Sequence, residues 1–233
     1  TDVQRFFITT TEGSQKRISS QNLSGSPSKI QSSYDYYDVL DKDSINPNLS
    51  GRIWFSSSIS NFKKNIQLPL PLDACTGGES VHLSYSYYTK LSNATVHIDI
   101  NGQSVKSQPL SPNDDLMIDT FRTLCPGSNA MIGFTIPSSI EQNFYLDYIR
   151  VNTKANLAYG GKQFNFRFRD NIGLSSIQQA QFSSNGFRVW NVSDIRSIKN
   201  VTLNGNGFLF NNNTLQEFVA FQDKDAYIPT AIG

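Results

Sequence analysis

Glu79-Ser-Val-His-Leu-Ser-Tyr-Ser-Tyr-Tyr88 and, shortly after it, Ala94-Thr-Val-His-Ile-Asp-Ile-Asn-Gly-Gln-Ser-Val-Lys-Ser-Gln108 decide the fold class. In the first stretch Val81, Leu83, Tyr85 and Tyr87 alternate with His82, Ser84, Ser86 and Tyr88. A period of two puts one set on each face of a half-buried strand. In the second, Val96, Ile98 and Ile100 alternate with Thr95, His97 and Asp99. Asn101-Gly102 then supplies the pair of residues that tolerate positive φ, as a two-residue hairpin turn requires. The return strand is Gln103 to Gln108. Neither stretch has the 3.6-residue repeat of an amphipathic helix.

Working outward, the same reading predicts strands at Val3 to Thr10, Gly51 to Phe55, Leu116 to Phe121, Ala130 to Ile136 and Phe144 to Asn152. Residues through Ser28, with Gly13, Gly25 and Pro27, read as loop. Pro69 and Pro71 among Leu68, Leu70 and Leu72 mark an edge strand or an extended connection, because proline cannot donate to a ladder. A second run begins near Gln163, where Phe164, Phe166 and Phe168 alternate with Asn165, Arg167 and Arg169. It continues at Ile177 to Phe182, Phe187 to Val192, Ser197 to Leu203, Gly207 to Phe210 and Leu215 to Phe221. Gly160-Gly161 lies between the two runs. The expected architecture is all-β: a jelly-roll-like antiparallel β-sandwich over residues 1–158, followed by a smaller β-module over residues 159–233.

Composition agrees with this class. The chain has 233 residues, enough for one large or two modest β-domains, with 17% charged and 12% aromatic residues and many Ser, Asn and Thr. A net charge of +1 leaves no strong overall field for a polyanion, which argues against nucleic acid and against an anionic membrane surface as partners. No run approaches the roughly 18 apolar residues of a membrane span. The first residue is Thr, and the expectation is a segment of a larger exported protein. Asn-x-Ser/Thr triplets at Asn22, Asn48, Asn93, Asn191, Asn200 and Asn212 are explained by the abundance of these three residue types. Cys75 and Cys125 bracket a run of strands. A bridge between them would close a loop of about 50 residues and restrict the unfolded chain by roughly 4 kcal/mol. The other reading is two unrelated buried thiols.

Catalytic signatures are weak. His82 and His97 are the only histidines, and His97-x-Asp99 would offer two metal ligands without a third at recognisable spacing. Neither cysteine sits in a nucleophile motif. Asp114, Asp115 and Glu141 are the carboxylates a jelly-roll glycoside hydrolase would use, but Asp114-Asp115 fall in a Pro-Asn turn where Asp caps backbone amides. No catalytic, cofactor-binding or metal-binding residues are assigned, and no cofactor is expected. The remaining candidates are aromatics able to stack on sugar rings: Trp54, Tyr85, Tyr87 and Tyr88.

A family resemblance enters at Tyr34-Asp-Tyr-Tyr-Asp-Val-Leu-Asp-Lys-Asp-Ser-Ile-Asn-Pro-Asn-Leu-Ser-Gly-Arg-Ile-Trp-Phe55, which resembles the N-terminal region of the PorU-like sortases of the type IX secretion system. Phe144-Tyr-Leu-Asp-Tyr-Ile149 resembles the strand closing that family's first β-domain. Phe187-Arg-Val-Trp-Asn-Val-Ser-Asp194 resembles its Val-Trp-Asp-Val-Thr element, and Glu217-Phe-Val-Ala-Phe221 its last strand before the peptidase. Asn191, Ser193 and Thr153-Lys154-Ala155 depart from the family pattern. The resemblance implies a gingipain-like cysteine peptidase domain beyond Gly233, a location at the bacterial cell surface or outer membrane, and contacts with secreted cargo or envelope proteins. It implies a non-enzymatic, positioning role for this segment. The competing expectation is a carbohydrate-binding β-sandwich module of a secreted hydrolase.

Overall fold

The computed structural model describes residues 18–225 except 48–50, 61–62, 71, 73–74, 76–77, 128, 138–142, 171 and 174. The predicted strand at Val3 to Thr10, Pro71 and Glu141 therefore lie outside the described residues. The strands are β1 (Ser19–Gln21), β2 (Lys29–Gln31), β3 (Ser33–Asp41), β4 (Ser57–Ile59), β5 (Asn65–Pro69), β6 (Ser80–Thr89), β7 (Ala94–Ile100), β8 (Gln103–Leu110), β9 (Met117–Leu124), β10 (Met131–Thr135), β11 (Phe144–Asn156), β12 (Phe164–Arg167), β13 (Ile177–Gln181), β14 (Arg188–Asn191), β15 (Lys199–Val201), β16 (Gly207–Asn211) and β17 (Glu217–Phe221). The helical content of the described residues is a single 3-10 turn at Asp223–Asp225. The all-β expectation holds.

Two sandwiches form. In the first, a sheet ordered β3-β11-β6-β9, with β4 added on β11, packs against a sheet ordered β5-β10-β7-β8. The alternation in β6 turns Val81, Leu83, Tyr85 and Tyr87 inward, where they meet Ile66, Val96, Ile98, Ile132, Phe134, Phe144, Leu146, Ile149 and Val151 in one buried cluster. Each such side chain contributes about 1.5–3 kcal/mol by leaving water. Asn101 and Gly102 adopt φ of 51° and 78° and join β7 to β8, as the Asn-Gly signal requires. β5 is the edge strand that its proline predicts.

The second sandwich pairs a five-stranded sheet, β1-β15-β14-β17-β12, with a three-stranded one, β16-β13-β2. Its core is dominated by phenylalanine: Phe166 stacks on Phe218 at 5.4 Å, Phe168 on Phe210 at 4.7 Å, and Phe182 lies 4.4 Å from Phe187. Here the structure departs from expectation. Residues read as loop form β1, and residues 29–31, assigned to no strand, form β2; the two pair in parallel with β15 and β13. These strands thus join the second sandwich although they lie within residues 1–158. A buried amide pair, Gln31 Nε2 donating to Gln178 Oε1 at 2.9 Å, fixes one of them. Parallel pairing requires no local turn, so its partner stands about 150 residues away with no signal between.

Two further differences concern strand limits. The predicted strand Gly51 to Phe55 reduces to one bridge between Phe55 and Ile45, and pairing with β11 starts at β4. The Phe55 ring instead packs between Tyr145 and Tyr88, 5.2 and 6.2 Å away. β11 runs to Asn156, four residues beyond its predicted end, because β3 pairs with it from Tyr148↔Asp41 to Asn156↔Ser33. Its far end crosses into the second core, where Tyr34, Ala155 and Leu157 are buried with the phenylalanines.

The open side of the first sandwich, between edge strands β8 and β9, is clamped by charge. Lys106 Nζ stands 2.6 Å from Asp119 Oδ2 and donates to the Thr120 carbonyl, and the Tyr85 hydroxyl donates to the same carboxylate oxygen at 2.8 Å. Burial alone would raise the Asp119 pKa. The hydrogen bonds from Lys106, Tyr85 and the Thr120 amide outweigh it and hold the carboxyl below its ordinary value. A depressed folded-state pKa contributes stability above the unfolded pKa and loses it as pH falls through the folded one. Asp119→Asn should therefore cost about 1–3 kcal/mol near neutral pH and much less below the carboxylate range. Urea midpoints at both pH values check this, and an equal difference at both would contradict it.

Cys75 and Cys125 are joined in a disulfide with their Cα atoms 6.0 Å apart. Cys75 also bridges to Ala155, so the bond ties the end of β9 to the crossing point of β11. Reduction, or Cys75→Ser, should lower unfolding free energy by about 2–4 kcal/mol. Denaturation with and without reductant measures it, and coincident midpoints would exclude a stabilising bridge.

Candidate functional surfaces

The side chains singled out for chemistry are dispersed. His97 lies on β7 with Nδ1 2.9 Å from Ser107 Oγ, and neighbouring Asp99 accepts the Gly102 amide at 3.1 Å, so both serve the hairpin. His82 sits on the outer face of the opposite sheet. Among the described residues no group of three or more His, Cys, Asp or Glu could hold a metal ion. Asp114 pairs with Lys90 at the surface, and the Asp115 amide donates to Asn113 Oδ1 at 3.2 Å. These carboxylates organise a turn.

The proposed stacking aromatics also separate. Tyr85 and Tyr87 are 0% and 3% exposed, inside the core, and cannot present a ring to a ligand. Burial pushes both hydroxyls up in pKa, and for Tyr85 the hydrogen bond it donates to Asp119 adds to the rise. The alternation that identified the strand had already assigned these two to the apolar face. Tyr88 is half-buried on the other face, where it packs with Tyr145 and Phe55 beneath the segment before β4. Trp54 remains, 41% exposed.

One local irregularity shapes the outer face of the β3-β11-β6-β9 sheet. Leu146 pairs with Tyr87 and Ile149 with Tyr85, so Asp147 and Tyr148 together oppose Ser86 in a β-bulge. The bulge shows in the sequence as a phase slip: inward residues run Phe144, Leu146, then Ile149, Val151. Asp147 is half-buried there. Desolvation raises its pKa, Asp41 and Asp43 add to the rise, and the Ser86 hydroxyl opposes it.

A second surface is the seam between the sandwiches. Lys154 on β11 lies 2.8 Å from Asp35 on β3 and 3.0 Å from Asp170, and Asp35 also accepts the Arg169 amide at 2.7 Å. Burial would lower the Lys154 pKa, but the two carboxylates raise it overall. Arg167 of β12 stacks its guanidinium 4.9 Å from the Tyr37 ring on β3. Isolated charges such as Asp170 carry no sequence signal for this cluster, because its members come from three separate segments. Among the described residues no helix is long and apolar enough to cross a membrane.

No protein-family model matches the sequence, and no curated protein matches it. Among solved structures, the chain is similar to dimeric latent PorU from Porphyromonas gingivalis, with a TM-score of 0.69 and 16% identity over 90% of this chain and 22% of that one. A family 35 carbohydrate-binding module from Clostridium thermocellum overlaps at a TM-score of 0.34 and 19% identity, over 55% of this chain and 98% of the module, which is too low to carry an argument. The chain spans about a fifth of the length of that PorU chain and has the fold of a PorU-like β-region.

Proposed function

We propose that this chain is a non-catalytic β-segment of a PorU-like protein of the type IX secretion system, exported to the bacterial surface, where it positions a peptidase domain and contacts cargo or envelope proteins. The observation that carries the reading is the overlay itself: both sandwiches together, 90% of the chain, follow one region of PorU at a TM-score of 0.69. The ordered resemblances at residues 34–55, 144–149, 187–194 and 217–221 support it from the sequence alone. A positioning role suits the seam, where β3 and β11 run unbroken through both cores and tie them into one body. The disulfide removes both cysteines from service as thiolate nucleophiles.

The disulfide-intact protein is expected to leave peptides bearing a C-terminal sorting signal uncleaved, while binding the separately produced peptidase portion of PorU in calorimetric titration. Robust cleavage abolished by Cys75→Ser or Cys125→Ser, or no association with the peptidase portion, would overturn the assignment.

A further inference from the structure

Four asparagines precede glycine: Asn101, Asn185, Asn204 and Asn206. In this dipeptide the backbone amide attacks the side-chain amide before it most readily, because glycine has no Cβ to hinder the approach and leaves the chain free to turn. The step requires the asparagine Cγ to swing onto the following nitrogen. A side chain bonded elsewhere, or a backbone held on both sides, must first open locally, and the fold treats the four sites differently.

Asn101 is held at three points. Its Oδ1 accepts the Met131 amide at 2.8 Å, its own amide donates to the Met131 carbonyl at 2.9 Å, and the Gly102 amide donates to Asp99 Oδ1 at 3.1 Å. Asn206 is held by its side chain, whose Oδ1 accepts from Gln181 Nε2 and whose Nδ2 donates to the Phe182 carbonyl. Asn204 has an exposed side chain, but its amide and carbonyl both pair with Gly207, at 2.8 and 3.2 Å, which fixes its backbone in the turn before β16. Asn185 has none of these restraints. It and Gly186 are exposed in the connection from β13 to β14, between residues that are anchored. The Ser183 amide donates to the Leu157 carbonyl at 3.1 Å, Ser184 Oγ accepts the Tyr159 amide at 2.7 Å, and the Phe187 ring is buried 4.4 Å from Phe182. Among the described residues no hydrogen bond engages the Asn185 side chain or the Gly186 amide, and the Gly186 carbonyl accepts one from Gln222 Nε2 at 2.7 Å.

We propose that Asn185 is a site of spontaneous deamidation, the first of the four to become aspartate and isoaspartate in the folded chain. The Gly186 nitrogen gives up its proton and bonds to Cγ of Asn185, the Cγ–Nδ2 bond breaks, and the amide nitrogen leaves with that proton as ammonia, closing a succinimide. One water then opens the ring. Attack at Cγ restores the ordinary backbone and yields aspartate, and attack at the backbone carbonyl yields isoaspartate. Water is the only co-reactant. The product adds a negative charge where Gly186 borders a surface hollow with Arg188, Asp223 and Lys224. Isoaspartate also inserts one more backbone atom two residues before the buried Phe187 ring. The modification stands apart from the PorU-like reading, which uses neither Asn185 nor Gly186.

Ageing the whole chain at mildly alkaline pH, with peptide mapping by mass spectrometry and detection of isoaspartate, tests the site. Asn185 is expected to convert about tenfold or more faster than Asn101 and Asn206, and faster than Asn204, because the restrained sites react only after local opening. In urea the four should convert at similar rates, since each precedes glycine. Asn185→Gln, at an exposed position without a side-chain partner, should remove the first acidic species to form on isoelectric focusing and leave the far-ultraviolet spectrum unchanged. Conversion of Asn101, Asn204 or Asn206 as fast as Asn185 in the folded chain, the same ranking and spread in urea, or an acidic species that forms at an unchanged rate in Asn185→Gln would overturn the proposal.

Discussion

The pairing of β3 with β11 is the constraint on which the rest of the molecule depends. Nine consecutive residue pairs, from Tyr148↔Asp41 to Asn156↔Ser33, hold these two strands together across the junction of the sandwiches. One end of this ribbon contributes Leu40, Ile149 and Val151 to the first core, and the other contributes Tyr34, Ala155 and Leu157 to the second. A two-stranded ribbon has little stability alone, so it persists because each end is buried in a different core. The cores in turn keep a fixed relation because the same backbone ladder passes through both. The salt-linked Lys154, Asp35 and Asp170 sit where that ladder changes cores, and their partly buried setting gives the ion pairs more weight than exposed ones would have.

Around this ribbon the edges are managed one by one. β9 would present unpaired backbone groups along its free side, but Lys106 takes the Thr120 carbonyl and Asp119 takes the Thr120 amide. That blocks the middle of an edge otherwise marked by exposed Ile118 and Leu124. The disulfide secures the same strand at its end. In the second sandwich the N-terminal strands β1 and β2 occupy an edge of each sheet, so one short segment finishes both.

The outer face of the β3-β11-β6-β9 sheet gains its character from the bulge in β11. Had the strand kept strict alternation, either Leu146 or Ile149 would have faced water. Inserting one residue buries both and sets Asp147 beside Tyr148 on the outside. The acidic end of the face lies at that irregularity, and the regular ladder beyond it carries Arg150, His82 and Arg122 in register.

The sequence by itself determined the fold class and nearly every strand whose side chains alternate, from the Val81 to Tyr87 series to the Phe164 to Phe168 series, because a period of two is a local property of a half-buried strand. It also determined the β7–β8 hairpin, since Asn101-Gly102 carries its geometry in two residues, and it named the order of motifs that the PorU-like fold accommodates. It identified four aromatics as stacking candidates, yet its own alternation assigned Tyr85 and Tyr87 to the core. Only the tertiary structure decided that residues 19–31 belong to the second sandwich, that Cys75 meets Cys125, and that Arg122, His82, Arg150 and Tyr37 share one surface. Each of these depends on pairings between segments far apart in the chain, whose register is set by how whole sheets bury their apolar faces and leaves no trace in the local pattern of any one strand.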